Sequence, residues 1–212
     1  MATITALTQQ KRNPNRVNVY LDGEYAFPLA KIVAAWLKIG QELSPDKIAE
    51  LQAKDGHEAA LQRALNFISY RPRSVAEVQR NLKKFEVPED IIASVIERLH
   101  ANGLLDDADF ARRWVEDRAA FKPRGARALR MELRLKGMQD ALIDEALQDI
   151  DEYQLASQAA ERKLRQLSGL DWDTFRNKLG AHLARRGFGY DIAADVCREA
   201  WQRTHSPETR EH

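Results

Sequence analysis

Three aspartates stand within four residues at positions 106, 107 and 109. Carboxylates this close together could bind a divalent metal ion, or divide the roles of general acid and general base between them. Their position in the sequence instead favours a structural role at a turn between two helices. Gly103 can adopt the left-handed conformation that ends a helix, and Asp106 or Asp107 can then cap the next one. The pattern therefore predicts helix caps at this turn.

Other side chains with catalytic chemistry are scattered. The histidines, at positions 57, 100, 182, 205 and 212, show no metal-ligand spacing. The sequence contains no G-x-x-x-x-G-K-[ST] or G-x-G-x-x-G phosphate loop and no serine nucleophile elbow. The single cysteine, Cys197, has no second thiol in the chain to pair with, and its helical surroundings predict a packed side chain. We predict no enzymatic activity, no metal and no cofactor.

Arginines spaced three or four residues apart form the strongest candidate site. At that spacing they share one stripe of a helix, beside the stripe that Leu129 and Leu133 would bury. Guanidinium groups bind phosphate and carboxylate in bidentate fashion, so the stripe could hold DNA phosphates or the acidic surface of a protein partner. An ordinary solvated helix face is the alternative. The predicted partner-binding residues are Arg124, Arg127, Arg130, Arg134, Lys136, Arg185 and Arg186.

The composition is typical of a soluble globular protein, with 44% hydrophobic and 31% charged residues among 212. No apolar run approaches the roughly 18–20 residues of a membrane span, and the N-terminus lacks the apolar core of a signal peptide. We therefore expect a cytoplasmic protein. The net charge of +1 favours no partner class, but nine Lys and Arg against three Asp and Glu from Phe110 to Met138 concentrate positive charge there.

A small β element is predicted near the N-terminus. Residues 16–27 alternate polar and apolar side chains around Asp22-Gly23, a two-residue hairpin signal. Residues 3–8 could add a third strand, which an isolated hairpin needs for stability. Short helices are predicted over about residues 29–37 and after Ser44.

From His57 onward the apolar residues follow a helical period, and the same pattern occurs three times at intervals of about 50 residues. Leu82, Leu133 and Leu183 occupy equivalent positions. Units this small gain stability by stacking on one another. The predicted fold is mainly α: three tandem three-helix repeats forming an elongated curved body, with a small N-terminal β-hairpin/α extension. The predicted boundaries are 1–56 for the extension, 57–105, 106–153 and 154–204 for the three repeats, and 205–212 for a disordered tail.

The stretch Arg71-Pro72-Arg73 predicts a junction between two helices, and its Pro-Arg pair recurs as Pro123-Arg124. Proline forces the preceding residue out of the α region, which ends the helix before it. Ser74 and Glu77 then match a capping box, in which each side chain accepts a hydrogen bond from the backbone amide of the other residue. The sequence therefore predicts a new helix after Ser74.

The repeats resemble the RecX family of recombination regulators. The resemblance is carried by ALNFISYRPRS at 64–74, GLLDD at 103–107, FARRWVEDR at 110–118, ELRLKGM at 132–138 and LARRGFGY at 183–190. Together these motifs span nearly all of residues 57–203. One position departs from the pattern, because Glu86 stands where the other repeats have Gly137 and Gly187. This departure predicts a reshaped turn in the first repeat.

The resemblance implies a non-catalytic protein that binds the RecA recombinase. Family members are thought to lie in the groove of the RecA filament on single-stranded DNA and to limit its growth, ATPase, strand-exchange and co-protease activities. We expect a monomer. Two other hypotheses stay open: a direct DNA-binding transcription regulator built from helix-turn-helix-like units, and a repeat scaffold for an unrelated protein.

Overall fold

The computed structural model describes residues 1–205. They divide into two compact units, residues 1–73 with 78–104 and residues 74–77 with 105–205. The predicted tail lies outside the described residues except for His205, which ends the last helix. The strands are β1 Ala2–Gln9, β2 Arg16–Leu21, β3 Glu24–Ala30 and β4 Glu42–Leu43. The helices are α1 Lys31–Ala34, α2 Pro45–Ser69, α3 Val75–Lys83, α4 Glu89–Ala101, α5 Asp107–Phe121, α6 Ala126–Leu135, α7 Asp140–Leu147, α8 Glu152–Leu164, α9 Trp172–Arg185 and α10 Tyr190–His205.

The N-terminal strands form one antiparallel sheet in the order β3-β2-β1-β4. Asp22 and Gly23 both have positive φ, 50° and 90°, as a tight hairpin turn between right-twisted strands requires. The predicted hairpin and third strand are confirmed. The pattern did not predict β4. The helix predicted over residues 29–37 is only the four-residue α1, because β3 continues to Ala30 and the chain turns directly after Ala34.

Helix α2 is a single helix of 25 residues that begins after the Ser44 cap. The predicted boundary between residues 56 and 57 therefore falls inside it. Asp55, in the middle of this helix, accepts a hydrogen bond from the Ala30 amide and pairs with Arg16 at 2.9 Å. Because these two partners lie on the sheet, α2 packs against the N-terminal sheet and also serves as the first helix of the first repeat.

The predicted helix caps are present. Asp106 Oδ1 accepts from the Asp109 amide at 2.9 Å, and Asp171 Oδ1 accepts from the Thr174 amide at 3.0 Å. Ser74 and Glu77 form the predicted capping box: the Ser74 amide nitrogen lies 3.3 Å from Glu77 Oε2, and the Glu77 amide nitrogen lies 3.2 Å from Ser74 Oγ. Each cap satisfies an amide that the first turn of its helix cannot pair internally.

The second helix of every repeat ends in the same turn. A residue two or three positions after the helix has positive φ: 56° at Glu86, 86° at Gly137 and 87° at Gly187. The following amide bonds back to the carbonyl five residues earlier, Val87 to Leu82 and Met138 to Leu133, and Phe188 likewise to Leu183. This is a Schellman motif. The turn that Glu86 was expected to reshape is therefore preserved.

The N-terminal turns of α3 and α6 are held by equivalent contacts. The Val75 amide donates to Asp107 Oδ1 at 2.9 Å, and the Ala126 amide donates to Glu152 Oε1 at 3.0 Å. Asp107 and Glu152 are the first residues of α5 and α8. The cluster of aspartates thus serves two helices, because Asp106 caps α5 while Asp107 satisfies the first amide of α3.

The second and third repeats each have a core of their own. The α6 residues Leu129 and Leu133 are fully buried against α5 and α7, and Leu179 and Leu183 of α9 are fully buried against α8 and α10. These are the positions that the sequence period predicts to be internal. Burying a leucine side chain contributes about 2 kcal/mol, so these rows fix the orientation of α6 and α9.

Candidate partner-binding face

Helix α6 carries the largest group of predicted site residues. Because Leu129 and Leu133 anchor one side of the helix in the core, Arg127, Arg130 and Arg134 lie on the other side. The start of the helix is fixed as well, since the Gly125 amide donates to the Arg186 carbonyl at 3.0 Å. The face is therefore presented by a helix held at its end and along its length.

The three arginines of this face differ in their pairing. Arg127 is exposed and, within residues 1–205, has no ion-pair partner. Arg130 pairs with Asp144, and Arg134 Nε lies 2.8 Å from Asp140 Oδ1. The hydrogen bond from Arg134 lowers the pKa of the Asp140 carboxyl. Both pairs are solvent-exposed, and such pairs contribute little stability, so these guanidiniums can exchange their carboxylates for those of a partner.

Arg124, which the sequence placed on the outward stripe, is engaged within the chain, although its side chain is 38% exposed. Its Nε lies 2.8 Å from Glu132 Oε1, while Glu132 Oε2 accepts hydrogen bonds from Trp114 Nε1 and Arg118 Nε, each at 2.8 Å. The Glu132 side chain is 18% exposed. One carboxylate therefore accepts two hydrogen bonds and forms ion pairs with Arg118 and Arg124, so Arg124 belongs to this cluster.

Lys136 also lies in an internal network. Its Nζ is 2.9 Å from Glu77 Oε1 and 4.9 Å from the centre of the Trp114 ring. The Lys136 carbonyl accepts a hydrogen bond from Ser74 Oγ at 2.7 Å. These contacts hold the capping box of α3 against the end of α6.

The two arginines of the third repeat point in different directions. Arg185 is exposed and, among the residues described, forms no ion pair. Arg186 is half-buried and donates to the Pro123 carbonyl and to His182 Nε2, both at 3.0 Å. Burial lowers the pKa of Arg186. We conclude that Arg185 is available to a partner and that Arg186 holds the Pro123 junction.

His182 makes this junction sensitive to pH. Burial lowers the pKa of its imidazole, and the charges of Arg186, Lys163 and Arg185 act in the same direction. The unfolded chain therefore binds the proton more tightly than the folded one. The stabilising contribution is complete above the ordinary histidine pKa of about 6.5 and is lost as the pH falls below it.

We expect His182→Gln to flatten the fall in stability between about pH 7.5 and about pH 5.5, because glutamine can accept the Arg186 hydrogen bond without binding a proton. Urea denaturation at several pH values measures this slope. His100→Gln, at an exposed position, is the control. An unchanged slope in His182→Gln would show that the imidazole does not titrate as the contacts indicate.

Sequence reasoning missed part of this surface. Arg198 of α10 and the exposed apolar residues Met131 and Tyr190 line the same groove as Arg127. Arg198 pairs with Asp195, one turn earlier on its helix. The sequence shows that Arg198 is basic, but it does not show that this residue lies near α6. That position results from the packing of the second and third repeats.

Asp106 and Asp107, at the start of α5, hold helix starts, and the single cysteine is packed in a core. No three His, Cys, Asp or Glu side chains within residues 1–205 are grouped so that they could hold a metal ion. Cys197 is buried, and burial raises the pKa of its thiol. In the same part of the chain, no helix is long and apolar enough to cross a membrane.

Four family models match this chain, and together they span most of its length. The model described as the RecX regulatory protein N-terminal domain matches residues 2–44. Those described as the first, second and third three-helix domains of RecX match residues 60–99, 106–147 and 150–197. With the observed helices and N-terminal strands, these matches confirm the predicted fold class of three three-helix repeats.

Individual relatives match along nearly the whole chain. Regulatory protein RecX of Bacillus licheniformis is 35% identical over 204 residues, which cover 94% of this chain and 78% of the relative. The protein of the same name from Clostridium botulinum strain Eklund 17B is 35% identical over 207 residues, covering 94% and 97%. A crystal structure of regulatory protein RecX matches with a TM-score of 0.72 at 28% identity, covering 92% of this chain and 98% of that one. All three bear the name of a regulatory protein.

Proposed function

Because this chain belongs to the RecX family of regulatory proteins, we propose that it binds the RecA filament on single-stranded DNA and limits filament growth. In this role it lowers the ATPase, strand-exchange and co-protease activities of RecA. The protein acts without catalysis or a cofactor of its own, as a monomer in the cytoplasm.

The open arginines of α6 and α9 are the observation that supports this proposal. Arg127 and Arg185 are exposed and without ion-pair partners among residues 1–205, and Arg130 and Arg134 have only exposed ones. These four arginines are the partner-contacting residues in our proposal. Arg124, Lys136 and Arg186, predicted with them, act indirectly by holding α6 and its junctions in place.

DNA-dependent ATP hydrolysis by the cognate RecA, titrated with this protein, tests the function directly. We expect hydrolysis to fall as the protein is added, because a filament that cannot grow contains fewer active subunits. Hydrolysis that stays constant at saturating protein, while a pull-down recovers no RecA, would contradict the proposal and favour a scaffold for another protein.

The double charge reversal Arg127→Glu with Arg130→Glu should raise the concentration needed for half-inhibition by at least about tenfold, since like charges facing each other at an interface are strongly unfavourable. Both side chains point away from the core, so the helical circular dichroism signal should stay unchanged. The same ATP hydrolysis titration measures the effect.

The matched control is Arg112→Glu with Arg113→Glu, which makes the same change in net charge on the exposed face of α5. We expect this variant to inhibit like the wild type. Equal loss in both variants would mean that only overall charge matters. Tight, steeply salt-dependent binding to bare DNA without RecA would instead favour the direct DNA-binding function.

A further inference from the structure

A groove with a volume of about 1300 Å³ lies in the second unit between α6, α9 and the first half of α10. The α6 wall contains Arg127, Arg130 and Arg134. The α9 wall contains Arg176, and the α10 wall contains Arg198. Guanidinium groups therefore surround the groove from three helices.

The charges of the groove favour an acidic occupant. Five arginines line it against three carboxylates, Glu152, Asp191 and Asp195. Two of these carboxylates are already engaged, since Glu152 accepts from the Ala126 amide and Asp195 pairs with Arg198. Arg176 is exposed and, like Arg127, has no ion-pair partner in the described part of the chain. Arg130, Arg134 and Arg198 pair with Asp144, Asp140 and Asp195. Arg127 and Arg176 are therefore the two arginines of the lining that no carboxylate of the described residues pairs with.

The floor of the groove is apolar and has few large side chains. The face of α9 that lines it presents Gly180, Ala181 and Ala184. Gly180 lies inside the helix, where glycine costs about 0.5–1 kcal/mol relative to alanine. A Cβ at this position would meet no neighbouring atom within 4 Å, so packing within the chain does not require glycine here. The missing side chain leaves space for another molecule to approach the α9 backbone.

Two large side chains at the edge of the groove are unusually exposed. Met131 is 61% exposed and Tyr190 is 83% exposed. Methionine adapts to irregular apolar surfaces, and tyrosine supplies a large contact area with a polar tip. An apolar floor with exposed Met and Tyr and a charged rim is the arrangement by which grooves bind amphipathic helices.

The same features disfavour a nucleic-acid strand as occupant. Single strands bind by stacking bases on aromatic rings. Trp172, which also lines the groove, is packed against Phe175 and Trp201, with ring centroids 6.4 and 5.4 Å away. Phe188, another aromatic residue of the lining, is buried in the core of the third repeat. Tyr190 alone would therefore remain for stacking.

We propose that this groove binds an acidic amphipathic helix of the protein partner, with the apolar edge of the helix on α9 and its carboxylates on Arg127, Arg176 and Arg198. The inference rests on the proposed function in taking that partner to be a subunit of the RecA filament. The groove itself recognises the chemistry of the segment, namely one narrow apolar stripe flanked by Glu or Asp.

Direct peptide binding tests the proposal. The probe is a fluorescent synthetic helix of about 15 residues, close in length to α9, with Ala and Leu at i, i+3, i+4 spacing and Glu on both flanks. A peptide of the same composition in scrambled order is the control. We expect fluorescence anisotropy to show binding of the ordered peptide to the full chain, and binding of the scrambled peptide to be at least about tenfold weaker.

The variant that decides the question is Gly180→Trp, which fills the groove from a position that has open space. Its matched control is Gly180→Ala, which adds only a methyl group and should favour the helix. We expect the tryptophan variant to weaken peptide binding by at least about tenfold, and the alanine variant to change it by less than about threefold, because only the large ring blocks the groove. An unchanged circular dichroism spectrum in both variants verifies their folding.

Equal peptide binding by wild type and Gly180→Trp overturns the proposal, as does a single-stranded oligonucleotide that binds in the groove in place of the peptide. The RecA titration separates the two proposals. Wild-type inhibition that Gly180→Trp retains in full leaves the RecA function standing and overturns the groove. No inhibition by wild type overturns the RecA function, while the peptide experiment still judges the groove by itself.

Discussion

Replacing Gly187 with alanine should lower the free energy of unfolding by about 2–5 kcal/mol. Gly187 has a φ of +87°, a conformation that residues with a Cβ rarely adopt. An added Cβ would also lie 2.5 Å from Ala128 Cβ and 2.6 Å from its backbone nitrogen. Because that nitrogen is in the first turn of α6, the helix would have to move to relieve the clash. Urea denaturation followed by tryptophan fluorescence measures the loss.

Two variants separate the conformational part of this loss from the steric part. Gly103 also has positive φ, but a Cβ there would meet nothing within 4 Å, so Gly103→Ala should cost only about 1 kcal/mol. Glu86→Gly should stabilise by about 0.5–1 kcal/mol, because glycine removes the strain of a left-handed glutamate. A Gly187→Ala variant no less stable than Gly103→Ala would show that α6 does not approach this turn closely.

The recurrence of this turn explains why the helical fold was predictable. Leucines at positions 82, 133 and 183 precede it by the same number of residues, and each of them is buried in its repeat. Local signals of this kind, a periodic apolar row with a cap before it and a left-handed residue after it, need no knowledge of distant contacts. Even Glu86 adopts the left-handed conformation, because the Schellman hydrogen bonds and the apolar row outweigh its preference.

Contacts between distant residues limited the prediction of the site. Arg124 and Lys136 have the spacing of an outward stripe, but Lys136 meets Glu77, which is 59 residues away in the sequence. A helical period predicts which residues share a face, but it does not predict whether another element covers the edge of that face. Arg127, whose surroundings stay open, is the residue for which the sequence argument needed no such knowledge.

The N-terminal segment was incompletely predicted for a related reason. The Asp22-Gly23 hairpin signal is local, whereas the two residues of β4 form a strand only because they pair with Ala2 and Thr3 of β1. A strand this short has too few residues for an alternating pattern. Likewise, the continuity of α2 through position 57 depends on Asp55 contacting the sheet, which no helical period shows.

Replacing Glu132 with glutamine should lower the free energy of unfolding by about 2–4 kcal/mol. This carboxylate accepts hydrogen bonds from Trp114 and Arg118 and forms an ion pair with Arg124. All four residues lie within the second unit. Glutamine keeps the shape and can accept one hydrogen bond, but it leaves two partly buried guanidiniums without their counter-charge. Leaving a buried charge unpaired costs more than the intact pair contributes, so the loss should exceed that expected for a surface ion pair.

Glu145→Gln is the matched control, because it makes the same chemical change at an exposed position of α7. We expect its effect to stay within about 0.5 kcal/mol. Arg124→Met tests the origin of the loss, since removing one guanidinium should make a second change at Glu132 less costly than the same change in the wild type. If the two changes were additive, Arg124 would not belong to the Glu132 cluster, and its guanidinium would be free to join Arg127 on the partner-binding face.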